Sequence, residues 1–179
     1  MDDIVLQAMQ KWPNVPHCHG WLALDARGNW YMRDDRAQAA GPFPQVKGSR
    51  IDHDKLRAFI ERNYLADASG AWYFQNGPQR VFVDLEAAPW VWRVQAEPGW
   101  PLLSHTGVRA ERGTTWLDEA GRLFVHTTLG LGLVHTLDTG LAAEAIEAGA
   151  WLQPQTLRFA GMPQRFGYCL QPRPAPATG

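Results

Sequence analysis

The densest group of metal-binding side chains in the chain is His17-Cys18-His19. Alternate side chains of an extended segment share a face, so both imidazoles reach one side and Cys18 the other. A closed zinc site needs four ligands, usually in short-spaced pairs. The chain has no CxxC and no HxxxH, so a residue such as Cys169 or His53 would have to complete the site from a distance. No stoichiometric metal is expected there. Asp52-His53-Asp54 has the makings of an acid–base group, but it reads better as the capped first turn of a helix, where acids complement the dipole. Asp84 and Glu86 fall on one face of a strand. Paired carboxylates of that kind hydrolyse glycosides, yet the same alternation describes a solvated strand face, which is the reading retained. Val125-His126-Thr127 and Val134-His135-Thr136 are twin phrases that would set two histidines on neighbouring strands, close enough to act together. No Gly-x-Ser-x-Gly elbow accompanies them. Gly130-Leu131-Gly132 lacks the third glycine and the lysine of a phosphate-binding loop. No catalytic residue, no metal and no cofactor is assigned.

Aromatic residues are the other candidates for recognition. Nine tryptophans stand in 179 residues. Flat rings stack on ligands, and they also fill thin cores; the core reading is preferred for most of them. Trp90 and Trp92 are one residue apart, so they share a side of a strand and would offer two stacking rings. They are the candidate ligand-binding residues, with a shared place in the core as the alternative. Arg93 would point the other way.

These residues must be held by strands, and the chain repeats a strand-joining phrase three times. Asp25-Ala26-Arg27-Gly28, Asp67-Ala68-Ser69-Gly70 and Asp118-Glu119-Ala120-Gly121 are each flanked by large apolar residues. Asp suits the first position of a turn and Gly the position where φ is positive. Each phrase therefore predicts a turn between antiparallel strands. The single acids are too few for a calcium loop. Trp30 and Trp72 follow the first two turns, and both are expected to be mostly buried, at equivalent positions in two related lobes.

Between the turns, apolar spacing predicts a helix from Asp2 to about Lys11, another over about 53–63 and a third over 141–148. Residues 34–49 carry Gly41, Pro42, Pro44 and Gly48 and read as a long loop. Short strands fill most of the remainder. The expected class is α+β, with mainly antiparallel short strands in two related strand-rich lobes and about three helices. Residues 1–170 are expected to form a single compact unit, with lobes at about 17–78 and 79–150. The Pro-rich stretch 171–179 is expected to be disordered.

Composition limits the partners. Hydrophobic residues make up 45% and charged residues 20%, which suits a packed core. The net charge is −1 and the pI about 6.6, so the basic footprint of a nucleic-acid binder is missing. No apolar run is long enough to span a bilayer. The start, Met1-Asp2-Asp3-Ile4, is acidic where a secretory leader would be basic, and Cys18 and Cys169 read as free thiols. Cytoplasmic residence is expected, with neither nucleic acid nor membrane as a partner.

Residues 20–138 resemble an uncharacterised bacterial family, the domain of unknown function numbered 1285 (DUF1285), and its relatives. The features that carry the resemblance are Asp25-x-x-Gly28-x-Trp30-Tyr31, the helix containing Leu56 and Phe59, and Asp67-x-x-Gly70-x-Trp72-Tyr73. The phrase Val81-Phe82-Val83-Asp84-Leu85-Glu86-Ala87-Ala88-Pro89-Trp90 follows them. The first helix and the Trp151–Leu170 segment fall outside it. The resemblance implies a two-lobed, mostly β arrangement with repeated motifs and a part in signalling, and it brings no catalytic residues. The leading expectation is a non-enzymatic module that binds a small molecule or a protein partner, with a regulatory or signalling role. The alternative is a small hydrolytic enzyme using the histidines and acids of residues 20–138.

Overall fold

A computed structural model describes residues 1–176. The chain divides into two compact units. The first takes Met1–Asp25, Asn29–Glu86 and the chain from Cys169; the second takes Ala26–Gly28 and Ala87–Tyr168.

The first unit opens with α1 (Asp3–Lys11), then β1 (Cys18–Leu24), β2 (Trp30–Met32), α2 (Asp35–Ala40) and β3 (Ser49–Arg50). It continues with α3 (Asp54–Arg62), β4 (Tyr64–Ala66), β5 (Trp72–Asn76) and β6 (Gln79–Leu85). The strands form one sheet in the order β3-β2-β1-β6-β5-β4. At its centre β1 and β6 run parallel, with Ala23 opposite Asp84 and Leu24 opposite Leu85. Trp30, Leu24, Val83, Ile60 and Val5 fill the core. Phe59 of α3 meets Phe74 of β5 edge to face, 5.5 Å between ring centres. His53 caps α3, its Nδ1 accepting from the Leu56 amide.

The second unit holds β7 (Trp90–Val94), β8 (Leu102–Ser104), β9 (Arg109–Ala110), β10 (Thr114–Leu117), β11 (Leu123–Thr127) and β12 (Gly130–Val134). After these come α4 (Thr139–Glu147), β13 (Gln155–Thr156) and α5 (Met162–Phe166). Its sheet runs β13-β10-β11-β12-β7-β8-β9. Here β12 lies parallel to β7 and β13 parallel to β10. Trp92, Phe124, Leu102, Leu131 and Met162 are its largest fully buried side chains.

The α+β class stands, and three details of the expectation are corrected. Both sheets are mixed rather than mainly antiparallel. Hairpins announce themselves locally through their turns, whereas β1–β6 and β7–β12 join segments far apart in sequence and leave no local mark. The described residues hold five α-helices rather than about three: α2 occupies part of the expected 34–49 loop, capped by Asp34 on the Ala37 amide, and α5 is a single short turn with Pro at its start. Trp30 and Trp72 sit on the same sheet, not in two lobes, and only Trp30 is fully buried; Trp72 is half-buried.

All three Asp-x-x-Gly phrases close a turn between antiparallel strands. At each one an Asp side-chain oxygen accepts from the amide four residues on: Asn29 at 2.9 Å, Ala71 at 3.1 Å and Arg122 at 2.8 Å. The glycines take φ of 82°, 83° and 75°, the left-handed region where a Cβ is costly. A fourth turn has the same bonding with serine in place of aspartate. Ser104 Oγ accepts from the Val108 amide at 3.0 Å, and Gly107 has φ 81°.

Candidate functional site

The most polar buried point of the first unit is Asp84, 1% exposed at the centre of its sheet. A buried carboxylate must be paired, and two arginines supply the charge. Arg173 donates to both of its oxygens, at 2.8 and 3.3 Å. Arg33 Nη1 lies 3.8 Å from Oδ2. Alternation had made this the solvated face of a strand; that reading is corrected, because β6 is a central strand. Glu86 does not join Asp84 as a second carboxylate. It pairs instead with Lys47 at 3.6 Å, which also reaches Asp25 at 3.2 Å.

Arg33 is only 3% exposed and is held by the loop that follows it. Its Nε donates to the Val46 carbonyl at 3.1 Å, and its Nη2 to Ala37 at 3.4 Å and Gly41 at 2.5 Å. A guanidinium has five N–H donors, so three are spent on carbonyls. The two on Nη1 make no hydrogen bond among the described residues, since 3.8 Å to Asp84 is too long for one. Arg33 lines a cleft of about 470 Å³ together with His19, Gly20, Gln38, Pro42 and Arg173. Gln38 is anchored through Nε2 to the Arg33 carbonyl at 2.9 Å. Gly20, φ 80°, lets the backbone approach it: a Cβ there would stand 2.8 Å from Gln38 Oε1.

His19 stacks on Phe82, 4.6 Å between ring centres, and His17 meets the same ring edge-on at 5.9 Å. Burial pushes the His19 imidazole below its ordinary value, and the charges of Arg173 and His17 add to that. It is therefore neutral at pH 7. The hydrogen bond to Asp84 raises Arg173 in turn. Among the described residues no group of three His, Cys, Asp or Glu side chains is placed to hold a metal ion.

Trp90 and Trp92 lie in the core of the second unit, 7% and 0% exposed. Their rings stack on each other at 5.9 Å. Their indole N–H groups donate to the carbonyls of Leu129 and Val125, at 2.8 and 3.0 Å. Arg93 points away, as the alternation required, and pairs with Asp138 at 2.6 Å. The two histidines of the twin phrases are not brought together. His126 stands opposite Leu131 in the β11–β12 ladder, which puts His135 four residues further along the partner strand, roughly 13 Å at 3.3 Å per residue. His126 rests on Phe166 at 4.9 Å, while His135 Nδ1 accepts from the Leu137 amide.

The family model labelled DUF2944, described as "Protein of unknown function (DUF2946)", matches residues 1–173. The chain belongs to this family. The match takes in the first helix and the 151–170 segment that the sequence resemblance left out. No curated protein matches the chain. Among solved structures, a DUF1285 family protein from Silicibacter pomeroyi DSS-3 is 15% identical, covers 80% of this chain and 84% of its own, and superposes with a TM-score of 0.51. A DUF1285 family protein from Shewanella baltica OS155 is 12% identical over 73% of this chain and 95% of its own, TM-score 0.49. The resemblance to DUF1285 is thus shown at the level of the fold.

Sequence reasoning missed Arg33 and Arg173. Arg173 lies 89 residues from the carboxylate it binds, in the stretch expected to be disordered from Gln171. Gln171 also donates to the Phe43 carbonyl at 2.9 Å. The end of that stretch, 177–179, lies outside the described residues.

Proposed function

We propose that the protein is a non-enzymatic binding module for a small anionic molecule, and that the cleft beside Arg33 and Arg173 is its site. One observation carries this reading: a buried guanidinium that spends three of its five donors on the fold lines a cleft. Guanidinium N–H groups recognise carboxylates and phosphates as planar, charge-assisted partners. The neighbouring guanidinium of Arg173 is half-exposed and adds positive charge at the same place. Ligand pockets commonly pair apolar walls with a few fixed polar groups, and this cleft has that character.

The hydrolytic alternative gains no support from the histidines. His126 lies against an aromatic ring and His135 is used as a helix cap. Residence in the cytoplasm and a regulatory or signalling role belong to the same proposal. The two free cysteines suit a reducing compartment, and ligand occupancy would be the signal. No described helix is long and apolar enough to cross a membrane.

The test is an NMR titration of the protein with sodium salts of formate, sulfate and phosphate at constant ionic strength. Saturable shifts at the amides of Gly20, Gln38 and Gly41 are expected from at least one anion. Shifts confined to other regions, or none at all, would overturn the assignment.

A further inference from the structure

Granting that the cleft binds anions, its charge count and donor geometry narrow the class. We propose that the site takes a single carboxylate group, carried by a small monocarboxylic acid, which bridges Arg33 Nη1 and Arg173 beside Asp84.

Two guanidinium charges face one carboxylate, so the cluster holds one positive charge in excess. No other lysine or arginine lines the cleft among the described residues. One negative charge from a ligand balances the cluster. A dianion would leave a surplus negative charge next to Asp84, which is 1% exposed and poorly screened. His19 supplies no compensating proton, because its burial favours the neutral ring.

The donors match the same class. Arg173 gives both N–H groups of Nη1 to Asp84 and the Pro172 carbonyl, and one of Nη2 to Asp84. Its Nε and the second N–H of Nη2 make no hydrogen bond among the described residues. With the two on Arg33 Nη1, the two arginines lining the cleft keep four unspent donors. A carboxylate has two oxygens with about four lone-pair sites. The remaining wall includes Gly41, Pro42 and Pro174, which suits an apolar remainder.

The test measures affinity by isothermal titration calorimetry on the full chain at pH 7.5 and fixed ionic strength. Propionate and benzoate are the monocarboxylate probes; sulfate and inorganic phosphate are the dianion probes. Either carboxylate is expected to bind at least about tenfold more tightly than both dianions, a difference of about 1.4 kcal/mol. Arg173→Gln, which makes the cluster neutral, is expected to cost the carboxylate at least that much. Asp84→Asn, which leaves two positive charges, is expected to bring sulfate to parity or better. If Asp84→Asn does not fold, the wild-type order and Arg173→Gln decide. Sulfate or phosphate binding as tightly as the carboxylates in the wild type would overturn the monocarboxylate assignment and leave the anion site standing. Carboxylate binding untouched by Arg173→Gln would overturn it too. Absence of binding by all four probes would overturn both readings.

Discussion

Replacing Asp84 by asparagine removes the buried charge that Arg33 faces while leaving the side chain's size almost unchanged. Arg33 is 3% exposed, and its other partners are three neutral carbonyls. Taking away one member of a buried ion pair leaves the other uncompensated and costs about 3–5 kcal/mol. Arg173 offers a contrast within the same cluster. Its side chain is 49% exposed, so in Arg173→Gln the glutamine amide or water takes over its bonds to Asp84 while Arg33 still balances the charge, and the variant should cost less than Asp84→Asn, about 1–2 kcal/mol. Urea melts followed by circular dichroism read both numbers. With a slope of roughly 1–3 kcal/mol per molar, Asp84→Asn should lower the midpoint by 1 M or more. In the Asp84→Asn background Arg173→Gln should cost nothing further, because the pair is already broken. Equal losses from Asp84→Asn and Arg173→Gln would show that Arg33 is solvated, and the reasoning that makes it a buried donor would fail.

Three further outcomes follow from the packing. Gly132→Ala should lower the thermal midpoint by the equivalent of about 1–3 kcal/mol: the new Cβ would lie 2.2 Å from Trp92 Nε1, on a ring that is 0% exposed. A midpoint unchanged by that substitution would mean the indole is free to move. Trp30→Ala should cost about 3–5 kcal/mol in a chemical melt and Trp72→Ala clearly less, since Trp72 is half-buried; the reverse order would contradict the burial of Trp30. Burial works to raise the Asp138 carboxyl, but hydrogen bonds from Arg93 and the Val94 amide outweigh it and hold it below 3.8. The folded form of Asp138 therefore adds stability at pH values above that, and loses it as the pH falls through the depressed value. Asp138→Asn should flatten this part of the acid limb, and a stability profile parallel to the wild type between pH 5 and 2 would refute the assignment.

Local chemistry made the turns readable. Asp at the first position and Gly at the fourth describe a bonding pattern completed within five residues, and no distant part of the chain is needed to satisfy it. Ser104-His105-Thr106-Gly107 uses the same bonds, with a hydroxyl in place of the carboxylate, and a search for Asp alone passes over it. The helix α3 was legible for the same reason, from the spacing of Leu56, Phe59 and Ile60. The parallel pairs were not. β1 and β6 meet only after two helices and four strands have been laid down between them, so their pairing depends on the closed sheet rather than on either segment. The short α2 was hidden by the glycines and prolines that follow it.

The site was hidden by a different assumption. Reading Asp84 as solvated treated strand alternation as proof of one wet face. Its own neighbours argue otherwise: Phe82 shares its face and is 7% exposed, and Val83 and Leu85 fill the other. An acid in an apolar run on both faces is a buried acid, and a buried acid requires a cation supplied by the fold. That requirement turns attention to arginines in segments with no evident surface role, and Arg33, immediately after the first hairpin, and Arg173, in the Pro-rich stretch, are such residues. Neither forms a motif. What makes them a candidate site is that one carboxylate gathers two guanidinium groups and is too small to use all their donors. The unspent donors, not the pair itself, are what a ligand would recognise.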